Sequence, residues 1–140
     1  MIEILLTDLN KENFYEETLK KIESICDDYA MDDQFGTLSM ANQMVCDYLE
    51  SQSSVLADVS FRLDGDEVLF EYTLQNGDFR AFSNGQNDEN TGMFVLSRLA
   101  DEIIFSTDYD TLTTTFHVKT RISVHRNLQK AEVKNKIFSR

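Results

Sequence analysis

Val55-Leu56-Ala57-Asp58-Val59-Ser60-Phe61-Arg62-Leu63 runs through Asp64-Gly65-Asp66 into Glu67-Val68-Leu69-Phe70-Glu71-Tyr72-Thr73-Leu74. Val55, Ala57, Val59, Phe61 and Leu63 alternate with Leu56, Asp58, Ser60 and Arg62. A period of two is the pattern of a half-buried strand. Gly65 tolerates a positive φ, so the Asp-Gly-Asp triplet supplies a hairpin turn. Val68, Phe70, Tyr72 and Leu74 continue the alternation as the partner strand, and Asn76-Gly77 marks the next turn. An antiparallel hairpin therefore sits at the middle of the chain, and the other elements are placed around it.

Upstream, Ile2, Ile4 and Leu6 predict a short strand over residues 2–7. Asn10 then precedes a period near 3.6: Tyr15, Leu19, Ile22, Cys26 and Tyr29 fall on one helix face. Glu12, Glu16 and Glu17 come early on the wet side, which suits the helix dipole. Asp32, Asp33 and Gly36 break the pattern. A second helix is expected from about Thr37 to Gln52, with Leu38, Ala41, Val45 and Tyr48 facing inward, widened by Met44 and Leu49.

Downstream, residues 83–91 carry no apolar side chain and predict an exposed loop. Met93, Leu96, Leu99, Ala100 and Ile103 then predict a third helix that begins near Gly92 and closes on Asp101 and Glu102. Phe105 and Thr107 open a strand that turns at Asp108-Tyr109-Asp110. Leu112, Thr114, Phe116, Val118, Thr120, Ile122 and Val124 alternate as the last strand, in a threonine-rich stretch that favours extended backbone. The order β-α-α-β-β-α-β-β predicts an α/β two-layer sandwich: a mixed, mostly antiparallel sheet with helices on one face. The boundaries are one domain over 1–124 and a basic C-terminal tail over 125–140.

Composition narrows the function. The chain has 140 residues, 41% of them hydrophobic, with ten Phe and five Tyr, enough for one well-packed core. Proline and tryptophan are absent, and five glycines leave little room for a glycine-rich phosphate loop. No apolar run approaches the roughly 18 residues of a membrane span. No basic segment precedes an apolar one at the start, so a cytoplasmic location is expected.

Charge is unevenly placed. Residues 1–118 hold 6 basic and 24 acidic side chains, a net of −18. Residues 119–140 hold Lys119, Arg121, Arg126, Lys130, Lys134, Lys136 and Arg140 against Glu132 alone. Such a body repels phosphate backbones, which excludes direct nucleic-acid binding. The basic tail is expected to be solvated or docked on its own acidic domain, the alternative being a docking site for a partner.

Catalytic and metal clusters are missing from the sequence. His117 and His125 have no second His or Cys nearby. Cys26 and Cys46 fall on or beside inward helix faces, where free cysteines behave as small hydrophobes. No P-loop, GxSxG or HExxH pattern occurs.

The segment Asn90-Thr91-Gly92-Met93-Phe94-Val95-Leu96-Ser97-Arg98-Leu99-Ala100-Asp101-Glu102-Ile103 is similar to a G-x-G-L-x-L-x-x-x-L-x-D-E-V run. With the element order, it resembles the histidine-kinase-like ATPase fold in its smallest version, the bacterial anti-sigma-factor serine kinase. The resemblance covers roughly residues 1–118. It implies ATP and Mg²⁺ as cofactors, a sigma factor or anti-sigma antagonist as partner, and a tendency to form a homodimer.

The resemblance also implies a site, and several of its positions depart from the family's pattern while Gly77 and Gly92 match it. In the family a Glu on the second helix is the general base, and an Asn one turn later holds Mg²⁺. Here those positions are Asn42 and Cys46. An amide cannot accept a proton at neutral pH, and a neutral thiol is a poor ligand for a cation that prefers hard oxygen. The family's adenine-binding D-x-G becomes Gln75 and Gly77. The phosphate loop keeps Gly92 but has Asn90 where its first glycine belongs and Met93 where the run has Leu, and Asp88 and Glu89 before it oppose a triphosphate. The expected function is a regulatory protein-binding module without phosphoryl transfer. The alternative is a weak ATP-dependent serine/threonine kinase with a rearranged site formed by Asn42, Gln75, Gly77 and Gly92. An open pocket between the second helix and the 83–91 loop would favour the alternative; apolar side chains filling that space would favour the first.

Overall fold

The computed structural model describes residues 2–118. The central hairpin forms as the alternation requires. Strands β2 (Ala57–Asp64) and β3 (Glu67–Leu74) pair antiparallel, with Phe61 opposite Phe70 and Leu63 opposite Val68. The Phe61 and Phe70 rings meet edge to face at 4.9 Å, a contact worth about 0.5–1.5 kcal/mol beyond its burial. Gly65 carries the turn with φ +64°.

β1 (Ile2–Leu9) pairs with β2, and the register slips between Leu6 and Leu9. Asp8 sits at the slip with φ +55°, its amide held by the Asp58 carboxylate at 2.9 Å. Later in the chain, β4 (Glu102–Phe105) and β5 (Thr111–His117) complete a five-stranded sheet in the order β1-β2-β3-β5-β4.

Every strand pairing among the described residues is antiparallel, which corrects the expectation of a mixed sheet. The reason is the last hairpin. β3 and β4 run in the same direction, but β5 turns back from β4 and inserts between them. The two parallel strands therefore never touch.

One face of the sheet is apolar: Val59, Phe61, Phe70, Tyr72, Leu112 and Phe116 are buried. α1 (Phe14–Asp28) and α2 (Phe35–Glu50) cover it. Phe14 meets the Tyr72 ring at 6.3 Å, and Asn42 of α2 meets its hydroxyl. A single helical turn, α3 (Arg80–Ser83), follows β3, and α4 (Gly92–Leu99) then packs on α2.

The opposite face is mostly polar, with Leu5 and Ile104 exposed on it. Ser60 and Arg62 both donate to Glu3, and Arg62 reaches Glu71. The Ser60 and Arg62 bonds hold the Glu3 carboxyl below its ordinary range.

Three local expectations change. The third helix of the sequence reading ends at Leu99 because Ala100 turns extended (ψ 147°), and Ile103 pairs with Thr114 in the sheet. Asp101 consequently does not end a helix: it is exposed, and its carboxylate accepts the His117 backbone amide at 2.6 Å. The α1 face is rotated, burying Phe14, Thr18 and Ile25 alongside Ile22 and Cys26. Thr18 is tolerated inside because its hydroxyl donates to the Phe14 carbonyl at 2.9 Å. The turn α3 is additional, since Arg-Ala-Phe-Ser is too short for periodicity to show. The continuation of the last strand to Val124 and the 125–140 tail lie outside the described residues.

Candidate functional site

A cleft of about 500 Å³ opens between the C-terminal half of α2, the α3 turn, residues 85–91 and the start of α4. α2 contributes Met44, Asp47 and Tyr48, which recur at steps of three and four and so share one face. The Tyr48 hydroxyl donates to the Asp78 carbonyl at 2.8 Å, which pins α2 to the exit of β3. Burial, and then the Asp78 charge, push its phenol pKa up. Its ring stacks on Phe79 at 5.8 Å and meets Phe82 at 5.2 Å. Tyr48 and Phe82 thus form an aromatic floor backed by the fully buried Phe79.

The rim is built by its own hydrogen bonds. Thr91 caps α4 by accepting the Phe94 amide, and its hydroxyl lies 2.6 Å from the Gly85 carbonyl. The Asp88 carboxylate holds the Asn90 amide at 3.0 Å. A side chain at Gly85 would put its Cβ 2.7 Å from the Thr91 hydroxyl, so glycine is needed there for the loop to close. At Gly92 a Cβ would stand 3.4 Å from both the Met44 carbonyl and the Phe82 ring, which brings α4 close to α2.

The charges in the cleft are Asp47 and Glu89, and no Lys or Arg is among its lining residues. Arg80 pairs loosely with Asp78 at 3.9 Å and lies over the Tyr109 ring, and Arg98 lies over Phe94. An anion about 5 Å from one such carboxylate is repelled by about 1–3 kcal/mol, from water-like to protein-surface screening. A triphosphate meets that term several times over.

The residues singled out in the sequence divide between several places. Asn90, Gly92 and Met93 line the cleft. Asn42 and Cys46 do not; both are fully buried between α1, α2 and the sheet. The Tyr72 hydroxyl donates to Asn42 Oδ1 at 3.1 Å, and Asn42 Nδ2 donates to the Thr18 hydroxyl at 2.8 Å. Cys46 Sγ lies 3.9 Å from that same hydroxyl. Gln75 is elsewhere again, its amide bridging the Asp8 and Asp58 carboxylates at 2.7 and 3.2 Å. Gly77 packs under Val55.

Met44, Asp47, Tyr48 and Phe82 line the cleft without standing out as site residues in the sequence. Met44 and Tyr48 extend the apolar face of α2 and so read as core. Their steps around Asp47 are the available signal, and only the position of α4 reveals that they border open space.

Cys46, which stands where the resemblance puts the Mg²⁺ ligand, does not fit that ion. Cys46 is buried, and burial raises its thiol pKa far above the ordinary range. Among the described residues no group of three or more His, Cys, Asp or Glu is arranged to hold a metal ion. His117 closes β5, with Nδ1 3.5 Å from Glu67. No helix among these residues is long and apolar enough to cross a membrane.

Cys26 is pushed up to about 11, by burial first and then by Asp32, Asp33 and Asp27. A folded-state pKa above the unfolded one gives stability that is intact below about pH 9 and lost as pH rises toward 11. Two outcomes are expected. Iodoacetamide at pH 8 leaves both thiols unmodified in the native protein and alkylates both in denaturant. The urea midpoint falls between pH 9 and 11; a flat midpoint would contradict the burial of these groups.

No protein-family model matches the sequence, and no curated protein aligns to it significantly.

Proposed function

We propose that this chain is a regulatory protein-binding module on a histidine-kinase-like ATPase scaffold, related to anti-sigma-factor kinases and without phosphoryl transfer. The observation that carries the reading is the burial of Asn42 and Cys46. These stand where the resemblance puts the base and the metal ligand, yet both are sealed in the core and bonded to Thr18 and Tyr72 or lie beside them. A general base must come within hydrogen-bond reach of the proton it removes. A buried amide committed to two partners neither reaches a substrate nor takes its proton. The partner is a protein of the sigma-factor or anti-sigma-antagonist type, met through surface rather than through a transferred phosphate.

The second reading, a weak ATP-binding kinase, is favoured by the open cleft between α2 and the polar loop, with Asn90, Gly92 and Met93 on its wall. Of the four residues expected to form the rearranged site, only Gly92 lines that cleft. Its carboxylates oppose a nucleotide.

Calorimetric titration of the full chain with Mg-ATP separates the two. No saturable heat and no transfer of the γ-phosphate to a protein partner are expected. Binding at tens of micromolar together with such transfer would establish the kinase reading instead.

A further inference from the structure

We infer that the cleft between α2 and the 85–91 loop receives an arginine side chain from the protein partner. The inference rests on the protein-binding reading and names the chemistry that this site recognises.

Three features select a guanidinium. The floor is aromatic, with Tyr48 and Phe82 5.2 Å apart and tilted by 52°. A planar cation stacks on the partly exposed Tyr48 ring, with the buried Phe82 beside it, whereas a hydrated ammonium gains less. Asp47 and Glu89 stand on different walls, one on the helix and one on the loop, and among the described residues no basic side chain lines the cleft to neutralise them. A carboxylate meets a guanidinium through paired N–H donors, the strongest form of this contact. The loop that carries Glu89 is already ordered by Thr91 and Asp88, so little freedom is lost when a ligand arrives.

Charge complementarity acts at longer range too. The body from 1 to 118 has 24 acids against 6 bases, and those bases include Lys20, Arg62 and Arg80, which already face acids. An incoming basic segment is steered, and an acidic one is turned away. The apolar walls, Met44, Met93 and Val95, suit the aliphatic stem of a long side chain.

The test uses the isotope-labelled full chain and two peptides, one alternating arginine and alanine, the other alternating glutamate and alanine. With the arginine peptide, the amide signals of Asp47, Gly85, Glu89 and Gly92 shift in a saturable way. The glutamate peptide leaves them in place. Asp47→Asn with Glu89→Gln weakens binding about tenfold. Gln43 now donates to the Asp47 carboxylate at 2.9 Å, and the amide carbonyl that replaces it can still accept that bond. Removing two remote charges, Glu12→Gln with Glu23→Gln, changes affinity less than twofold.

Equal losses in the two double variants would reduce the effect to general charge attraction and overturn the inference. So would equal shifts with the glutamate peptide. Silence toward both the arginine peptide and Mg-ATP overturns the inference alone. Cleft shifts with Mg-ATP, and none with arginine, overturn the protein-binding reading as well.

Discussion

Asn42→Ala is expected to destabilise the protein by about 3 kcal/mol. The substitution strands the Tyr72 hydroxyl, which donates to Asn42 at 3.1 Å, inside a wholly buried site. It also removes the donor that meets the Thr18 hydroxyl at 2.8 Å. A buried polar group left without a partner costs about 1–3 kcal/mol, and the lost volume adds to this. Urea unfolding measures the change.

The coupling is diagnostic. Tyr72→Phe alone leaves Asn42 Oδ1 short of a donor, but combined with Asn42→Ala it removes both ends of the same bond. The double variant is therefore less destabilised than the sum of the singles. Strict additivity, or a stability loss below about 0.5 kcal/mol in Asn42→Ala, would mean that Asn42 is not a core residue. It would then be free to serve a ligand.

Phe79→Ala carries the second large effect, about 3–4 kcal/mol. Phe79 is fully buried and its ring meets those of Tyr48, Phe82 and Phe105 at 5.8, 6.2 and 6.3 Å. Truncating a buried phenylalanine costs about 3–5 kcal/mol, set by how far the neighbours collapse. The consequence reaches the cleft, because Phe79 backs both rings of its floor. Thermal unfolding should show the loss. At a temperature where the variant is still folded, the arginine peptide should bind several-fold more weakly than to the parent chain. Unchanged affinity would show that the floor does not depend on Phe79.

The sheet was largely legible because its strands are half buried. Alternation from Val55 to Leu74 marks which side chains go in, and the Asp-Gly-Asp triplet marks the turn. Pairing order is another matter. Nothing local to Thr111–His117 says that this strand inserts between β3 and β4, and that insertion makes the sheet antiparallel throughout the described residues. Helix ends were less legible where apolar spacing ran on past the true stop. Ile103 fits the helical step from Leu99 and Ala100, yet its backbone partner is Thr114 across the sheet.

The site was legible in part, and for a physical reason. Asn90 lies on the exposed polar loop and Gly92 at the helix start, both readable locally, whereas Met93 borders the cleft although it is buried. Asn42 and Cys46 are singled out by the resemblance alone, and their one-turn spacing fixes a shared helix face but not what that face meets. Tyr72 lies 30 residues from Asn42, and Thr18 lies 24. Only tertiary packing brings the three polar groups together. Asp47, one step further round the helix, is the α2 carboxylate that borders the cleft.

The side-chain amide signals of Asn42 give the most direct test of the central claim. In the labelled full chain these protons should exchange slowly with solvent and stay in place when Mg-ATP is added to millimolar concentration. Their displacement by the nucleotide, with rapid exchange in its absence, would put Asn42 at a ligand surface and contradict the account.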